Sequence, residues 1–346
     1  MRVEGGFPIG EDGRVHTTFT HNPSSLRLSS VDPNLQNLPR GKDSEIEHWV
    51  KEIFVAPTGS KFWARDFSGI EAVLVGYFAG SQKYTRLAKL GVHDFLCAHL
   101  VEGGDLPDLK WSDQDLKGFF KDIKERYGSL RDKAKRTVHA SNYMTTPTKL
   151  VFEYPEVFPN VKEAARLQGI YFDLFPEIRD WHRDTCIRVD GSKLHDAGEQ
   201  AKIDPWTLGV CHVFNPFGYC HRFYNVLDWE LVDIGGGVKE WIWSYGEDAK
   251  RLISFLPQST AAAIIKQKTM KLWNEYPWVG ETIRLLIHDE IFGEAPDDMI
   301  ETCLSVSETV MESVITELPL DPSWGMGEYL NIGTEGKVGQ TWATME

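Results

Sequence analysis

Strand-like segments near both ends of this chain flank a long stretch that reads as helix, and this arrangement restricts the fold more than any other feature. Phe62, Trp63 and Ala64 lead into Asp66, after which Ile70, Val73, Leu74, Tyr77 and Phe78 recur at helical spacing. Far along the chain, residues 283–287 and 291–294 read as two short strands meeting at His288-Asp289-Glu290. Backbone groups of a strand stay unpaired unless another strand meets them, so the two ends are expected to share an α+β core with a helical insertion between them. Residues 85–180 are mainly helical, with Pro and Gly punctuation around 103–107 and 155–159. Helices are also expected over 258–273, through Ala262, Ile265 and Leu272, and over 298–318, where Ile300, Leu304, Met311, Val314 and Leu318 form one stripe. Residues 183–235 read as mixed, with hairpins expected near Asp190-Gly191 and Pro216-Phe217-Gly218.

A chain of 346 residues suggests about two domains. At 42% hydrophobic and 25% charged residues the composition is globular and excludes disorder. No apolar run is long enough for a membrane span, and the first ten residues lack the apolar core of a signal peptide. Five cysteines are an odd and sparse set, which argues against a disulfide framework and for a reducing, cytoplasmic setting. A net charge of −14 argues against a simple nucleic-acid coat. The charge is uneven, however, because residues 110–149 hold ten basic side chains against five acids. That patch would attract phosphates locally while the rest of the surface repels them, although a solvated charged helix has the same composition.

Asp66 sits where a strand gives way to a helix, and Asp289 lies in the turn between two apolar strands. Magnesium takes oxygen ligands and is held by one or two carboxylates together with substrate phosphates. Two such aspartates suit a pair of ions about 3.5–4 Å apart for in-line phosphoryl displacement. Taken singly, each is also an ordinary turn or helix-start residue. Ser68-Gly69-Ile70-Glu71 matches the capping box, which gives Glu71 a structural explanation as well. Arg131, Lys135, His139 and Tyr143 recur every four residues and would form a helical stripe about 18 Å long. Two cations followed by two rings suit a triphosphate with its sugar and base, and an exposed amphipathic face is the plainer explanation. Cys211-His212 and Cys220-His221 fit no zinc spacing. His288-Asp289 has no G-x-S-x-G nucleophile to serve, and P-loop and Rossmann glycine patterns are absent.

Five blocks in order resemble family A DNA polymerases, especially those of bacteriophages. Arg27-Leu28-Ser29-Ser30-Val31-Asp32-Pro33-Asn34-Leu35-Gln36-Asn37-Leu38-Pro39 looks like the segment before motif A, and Asp66-Phe67-Ser68-Gly69-Ile70-Glu71 looks like motif A. Arg131 through Tyr143 is similar to motif B, Gln258-Ser259-Thr260-Ala261-Ala262 is a further match, and His288-Asp289-Glu290 looks like motif C. The resemblance implies a right-hand polymerase palm, an antiparallel sheet with packed helices, over residues 1–80 and 246–346. Largely helical fingers with associated insertions would occupy 81–245. It implies template-directed DNA synthesis from dNTPs on primer-template DNA with two magnesium ions, manganese being a substitute.

Asp66 and Asp289 would bind the ions with help from the Phe67 carbonyl, and Glu290 would support them. Arg131, Lys135 and His93 would contact phosphates, Lys135 also donating a proton to the leaving group. Glu71, backed by Tyr143, would exclude a ribose 2′-hydroxyl, with His139 alongside at the nucleotide. Arg27, Gln258, Asn37 and His288 would contact DNA. His139 stands where Phe or Tyr is usual in cellular members, and Ala140 and Met144 stand where Gly is frequent. The chain starts just before the Arg27 block, so it is expected to be the C-terminal half of a split polymerase, with the thumb, the exonuclease domain or both on a separate polypeptide, or else a fragment of a longer one. A phage origin would place it in the host cytoplasm. The competing functions are a single-subunit RNA polymerase, opposed by Glu71 and the full His288-Asp289-Glu290 triplet, and a non-catalytic DNA-binding subunit, opposed by retention of both aspartates, Arg131 and Lys135.

Overall fold

The computed structural model describes residues 7–21, 25–38, 50–200, 211–235 and 238–345. The chain divides into two compact units, Met1–Ile70 with Gln258–Glu346, and Glu71–Pro257.

The first unit is built on a four-stranded antiparallel sheet in the order Thr334–Gly339, Ser60–Phe67, Glu290–Pro296, Ile283–Ile287. Alternation along Ser60–Phe67 decides its two faces. Phe62 and Ala64 point to the side where Ile287 and Phe292 complete a buried cluster. Trp63, Arg65 and Phe67 point to the other side, where Trp63 is fully buried and its indole N–H donates to Thr282 Oγ1 at 3.1 Å. Gly293 lies opposite Trp63, and a Cβ there would come within 2.3 Å of the indole nitrogen, so only glycine fits. Arg65, 5% exposed, donates to the Leu304 carbonyl at 2.8 Å and pairs with Glu308 at 3.3 Å, both on the helix Ile300–Met311.

That helix is shorter than the apolar stripe suggests. It ends at Met311, and Ile315–Pro319 forms a strand paired with Tyr329–Leu330. The β-branched run Val314-Ile315-Thr316 prefers the extended form, and Val314 is exposed rather than part of a buried stripe.

Arg14 grips the buried Glu294 through two hydrogen bonds of 2.7 and 2.9 Å. These bonds hold the Glu294 carboxyl below its usual range. A depressed carboxylate pKa stabilises the fold above the unfolded value of about 4.3, and the contribution fades as the pH falls through the folded value. Acid titration of wild type and Arg14→Met should therefore show a stability gap at neutral pH that closes below about pH 4. A gap that widened in acid would contradict this pairing.

The second unit is mainly helical. Gln82–Leu90, Asp113–Arg126, Pro147–Glu153 and Val161–Leu174 each start at a side-chain cap, namely Ser81, Ser112, Thr146 and Asn160, which satisfies otherwise orphaned N–H groups. Val92–Leu100 and Gly128–Asn142 contribute Leu96, Ala134 and Val138 to the largest buried cluster. The helix Ala249–Glu275 begins well before residue 258, because Ala249, Leu252, Ile253 and Leu256 are buried in the same cluster. The boundaries between the two units fall at Ile70 and Pro257, with Val75 and Leu252 both in the second unit's core.

No hairpin forms at Asp190-Gly191, where the helix Pro176–Gln200 runs straight through. Ile178, Trp181, Thr185 and Cys186, all buried, supply the helical stripe that outweighs the local turn signal. The turn at Pro216-Phe217-Gly218 does form, between Cys211–Phe214 and Cys220–Phe223, with Gly218 at φ 81° and Asn215 Oδ1 accepting two backbone N–H groups. Neighbouring residues Cys220 and His221 point to opposite faces of this hairpin. A second hairpin, Leu227–Gly235 with Val238–Tyr245, sets Trp229 opposite Trp243. Among the described residues no helix is long and apolar enough to cross a membrane.

Candidate active site

In the first unit, the sheet register brings the acidic motifs together. Asp66, next to last in Ser60–Phe67, lies directly opposite Glu290 on one neighbour and Glu335 on the other. Directly opposed residues share a face, with Cα atoms roughly 5 Å apart. Ile287 pairs with Glu290, so His288-Asp289 is the two-residue turn of a hairpin. His288 takes a positive φ of 59°, the left-handed backbone that such turns demand. The N–H of Phe67 donates to the Asp289 carbonyl at 3.4 Å, which fixes the turn beside the end of the central strand. Asp66, Phe67, Asp289 and Glu290 are therefore neighbours despite the 223 positions between the two aspartates.

Glu290 ion-pairs with Lys337 at 3.6 Å, and among the described residues no group of three or more His, Cys, Asp or Glu is placed to hold a metal. The Asp66 and Asp289 carboxylates and the nearby backbone carbonyls are oxygen donors, a chemistry that suits magnesium or manganese better than zinc or copper.

Arg27 and His288 line one small recess, together with Gln36, Lys266 and Leu286. Gln36, nearly buried, accepts from Ser30 N–H and donates to the Leu286 carbonyl at 2.8 Å. Lys266 donates to the Leu26 carbonyl at 2.6 Å, anchoring the residue before Arg27. Gln258 is not among the residues lining this recess, and Asn37 is exposed with its N–H on Asn34 Oδ1.

The second unit gathers the remaining candidates around the helix Gly128–Asn142. Lys135 and His139 both present exposed surface, and Tyr143 follows as its C-terminal cap. The Tyr143 hydroxyl donates to Glu71 Oε2 at 2.5 Å, so this carboxylate, in the first turn of Ile70–Phe78, is tied to a tyrosine rather than occupied wholly by a capping box. The His93, His139 and Tyr143 rings follow one another with centroids 6.3 and 6.4 Å apart. Met144 has a left-handed φ of 54°, a backbone that glycine would adopt without strain.

His93 Nε2 is buried and has no hydrogen-bond partner among the described residues. Desolvation, then the charges of Arg131, His139 and Lys135, push its pKa down to about 3, so the ring is neutral at physiological pH. In this state it offers a phosphate an N–H donor. His139 is also held below the ordinary value, by desolvation first and Lys135 next, with Glu71 opposing.

Two groups in this unit gave no signal in the sequence. Asp94, 6% exposed, binds Arg131 through Nε at 2.5 Å and Nη2 at 3.4 Å. Asn142 Oδ1 accepts the hydroxyls of Tyr84 and Tyr171 at 2.9 and 2.5 Å, and its backbone carbonyl meets His182 Nε2 at 2.9 Å. Both are short polar side chains within helices, and only tertiary packing reveals their partners.

The family model for DNA polymerase family A matches residues 8–195. The chain belongs to this family. It is 27% identical over 320 residues to the thermostable DNA polymerase I of Thermus thermophilus, covering 91% of this chain and 32% of that protein. It is 26% identical over 318 residues to DNA polymerase I of Deinococcus radiodurans, covering 91% and 28%. The chain thus spans about a third of the length of the curated relatives it matches. Among solved structures, the POL domain of Pol1 from M. smegmatis in complex with DNA primer-template and dNTP is similar in fold, with a TM-score of 0.66 and 19% identity over 97% of this chain and 49% of that one. The α+β architecture is that of a polymerase domain.

Proposed function

We propose that this chain catalyses template-directed DNA synthesis, joining a deoxynucleotide to a primer 3′-hydroxyl with release of pyrophosphate. The observation that carries this reading is the register that sets Asp66 against Glu290 and Asp289 in a family A chain. Asp66, Asp289 and the Phe67 carbonyl are the residues that would hold two magnesium ions. Such ions, when bound, supply Lewis-acid stabilisation of the charge that builds on the phosphoryl oxygens.

The other roles belong to the chain itself. Arg131 offers its guanidinium fork to a phosphate. Lys135 adds a second positive charge and holds a proton for the pyrophosphate leaving group. The neutral His93 donates one N–H, while the rings of His139 and Tyr143 flank sugar and base. Arg27 and His288 read the primer-template, assisted by Gln258 and Asn37.

Glu71 acts in this reading as the barrier to a ribose 2′-hydroxyl, held in place by Tyr143. Glu71→Ala is expected to reduce discrimination against ribonucleotides on the order of a hundredfold, the usual scale for one pocket contact, with little change in dNTP incorporation. Competition between dNTPs and NTPs on the same primer measures it directly. A variant that loses thermal stability and keeps its sugar preference would return Glu71 to a purely structural role.

Primer extension by the full chain, with dNTPs and separately with NTPs, tests the function as a whole. Magnesium-dependent extension with dNTPs supports it. Extension with NTPs alone would make the chain an RNA polymerase, and primer-template binding without extension would make it a non-catalytic subunit.

A further inference from the structure

We propose that Asp94 is a positioning residue for nucleotide incorporation, acting through Arg131; this rests on the polymerase reading above. The helices Val92–Leu100 and Gly128–Asn142 bring the two side chains together from 37 positions apart. Asp94 takes the Nε edge of the guanidinium, through Nε at 2.5 Å and one Nη2 bond at 3.4 Å. A guanidinium has five N–H donors, so the opposite edge keeps three of them for a phosphate. Held this way, Arg131 presents a fixed fork, whereas an untethered side chain would have to be ordered at each encounter with substrate.

The surroundings are built for the carboxylate. Asp94 is 6% exposed and lies in the first turn of its helix, where the helix dipole favours negative charge. Its N–H donates to the Gly91 carbonyl at 3.0 Å. A Cβ at Gly91 would approach Asp94 Oδ2 and Phe120 to 3.0 Å each, and Gly91 has φ 148°. A glycine at this position therefore leaves space for the carboxylate. The adjacent His93 is neutral, so Asp94 is not drawn away from Arg131 by an imidazolium.

The test is a double-mutant cycle on steady-state dNTP incorporation by the full chain, using Asp94→Asn, Arg131→Ala and the pair. Each single variant should lower kcat/KM by about tenfold or more, and the pair should be no worse than Arg131→Ala alone, because Asp94 has nothing left to position. Arg131→Lys, which keeps the charge and loses the fork, should reproduce the loss with Asp94 intact. Where Asp94→Asn melts below the assay temperature, Asp94→Glu replaces it in the cycle. Effects that multiply independently overturn the proposal, because a buried charge important only for folding would behave in that way. A lower KM at unchanged kcat also overturns it, since Asp94 would then be a competitor of the substrate phosphate. Absence of incorporation by wild type would instead refute the polymerase reading itself, and the proposal with it.

Discussion

Asp66→Ala and Asp289→Ala should each lower nucleotide incorporation by at least about a thousandfold while leaving the fold intact. A metal-bound phosphoryl group gains several kcal/mol of transition-state stabilisation, and about 4 kcal/mol corresponds to a thousandfold in rate. The structural cost runs the other way. Asp66, Glu290 and Glu335 lie side by side across three strands of one sheet, with Asp289 in the adjoining turn. Lys337 is the cation paired with Glu290 there. Gathering like charges is unfavourable to the protein unless a cation joins them, so deleting one aspartate should leave the melting temperature unchanged or raise it slightly. Loss of activity with retained or increased stability is the expected signature of a site that sacrifices stability for function. Melting curves and single-nucleotide incorporation on the same preparations decide it. Substantial incorporation by either variant would remove that aspartate from the catalytic centre.

The parts of this fold that could be read from the sequence are those in which local pattern and tertiary packing agree. The strand carrying Trp63 and Asp66 alternates cleanly, and the hairpin around His288-Asp289 is bounded by apolar runs on both sides. Where local signals conflict with packing, the sequence misleads. Asp190-Gly191 looks like a turn, yet buried Ile178, Trp181 and Cys186 upstream commit that segment to a helix. Val314 and Leu318 continue a helical stripe on paper, but the chain becomes a strand because Ile315 finds Leu330 as a ladder partner. The ribbon of Leu227–Gly235 and Val238–Tyr245 depends on paired tryptophans whose partnership spans a glycine run.

The candidate site divides in the same way. Asp66, Asp289, Arg131 and Glu71 stand in recognisable motifs. Asp94 and Asn142 do not, because their importance lies in what they touch across the fold. A residue whose role is to hold another leaves no spacing rule in one sequence.

Asn142 provides a large stability effect expected in the helical unit. Its side-chain oxygen accepts two hydrogen bonds, from Tyr84 and Tyr171, and all three residues are at most 3% exposed. Desolvation pushes the Tyr84 hydroxyl up to about 12 and Tyr171 well above its usual value, so both remain neutral donors throughout the physiological range. The Tyr84 and Tyr171 hydroxyls also bond each other, so Asn142→Ala strands one buried donor at about 1–3 kcal/mol. A cost of about 2 kcal/mol should lower the melting temperature of a unit this size by about 5 °C.

The same reasoning predicts a rescue. Adding Tyr84→Phe and Tyr171→Phe to Asn142→Ala removes the stranded donor, so the triple variant should be more stable than Asn142→Ala alone. Thermal melts of the three forms test this, and a triple variant less stable than the single one would mean that packing, not unsatisfied polarity, governs the site. Asn142 immediately precedes Tyr143, whose hydroxyl holds Glu71, so loosening the network should also relax sugar discrimination at temperatures where the unit is still folded. Such coupling would make a buried asparagine with no substrate contact a determinant of nucleotide choice in the proposed reaction.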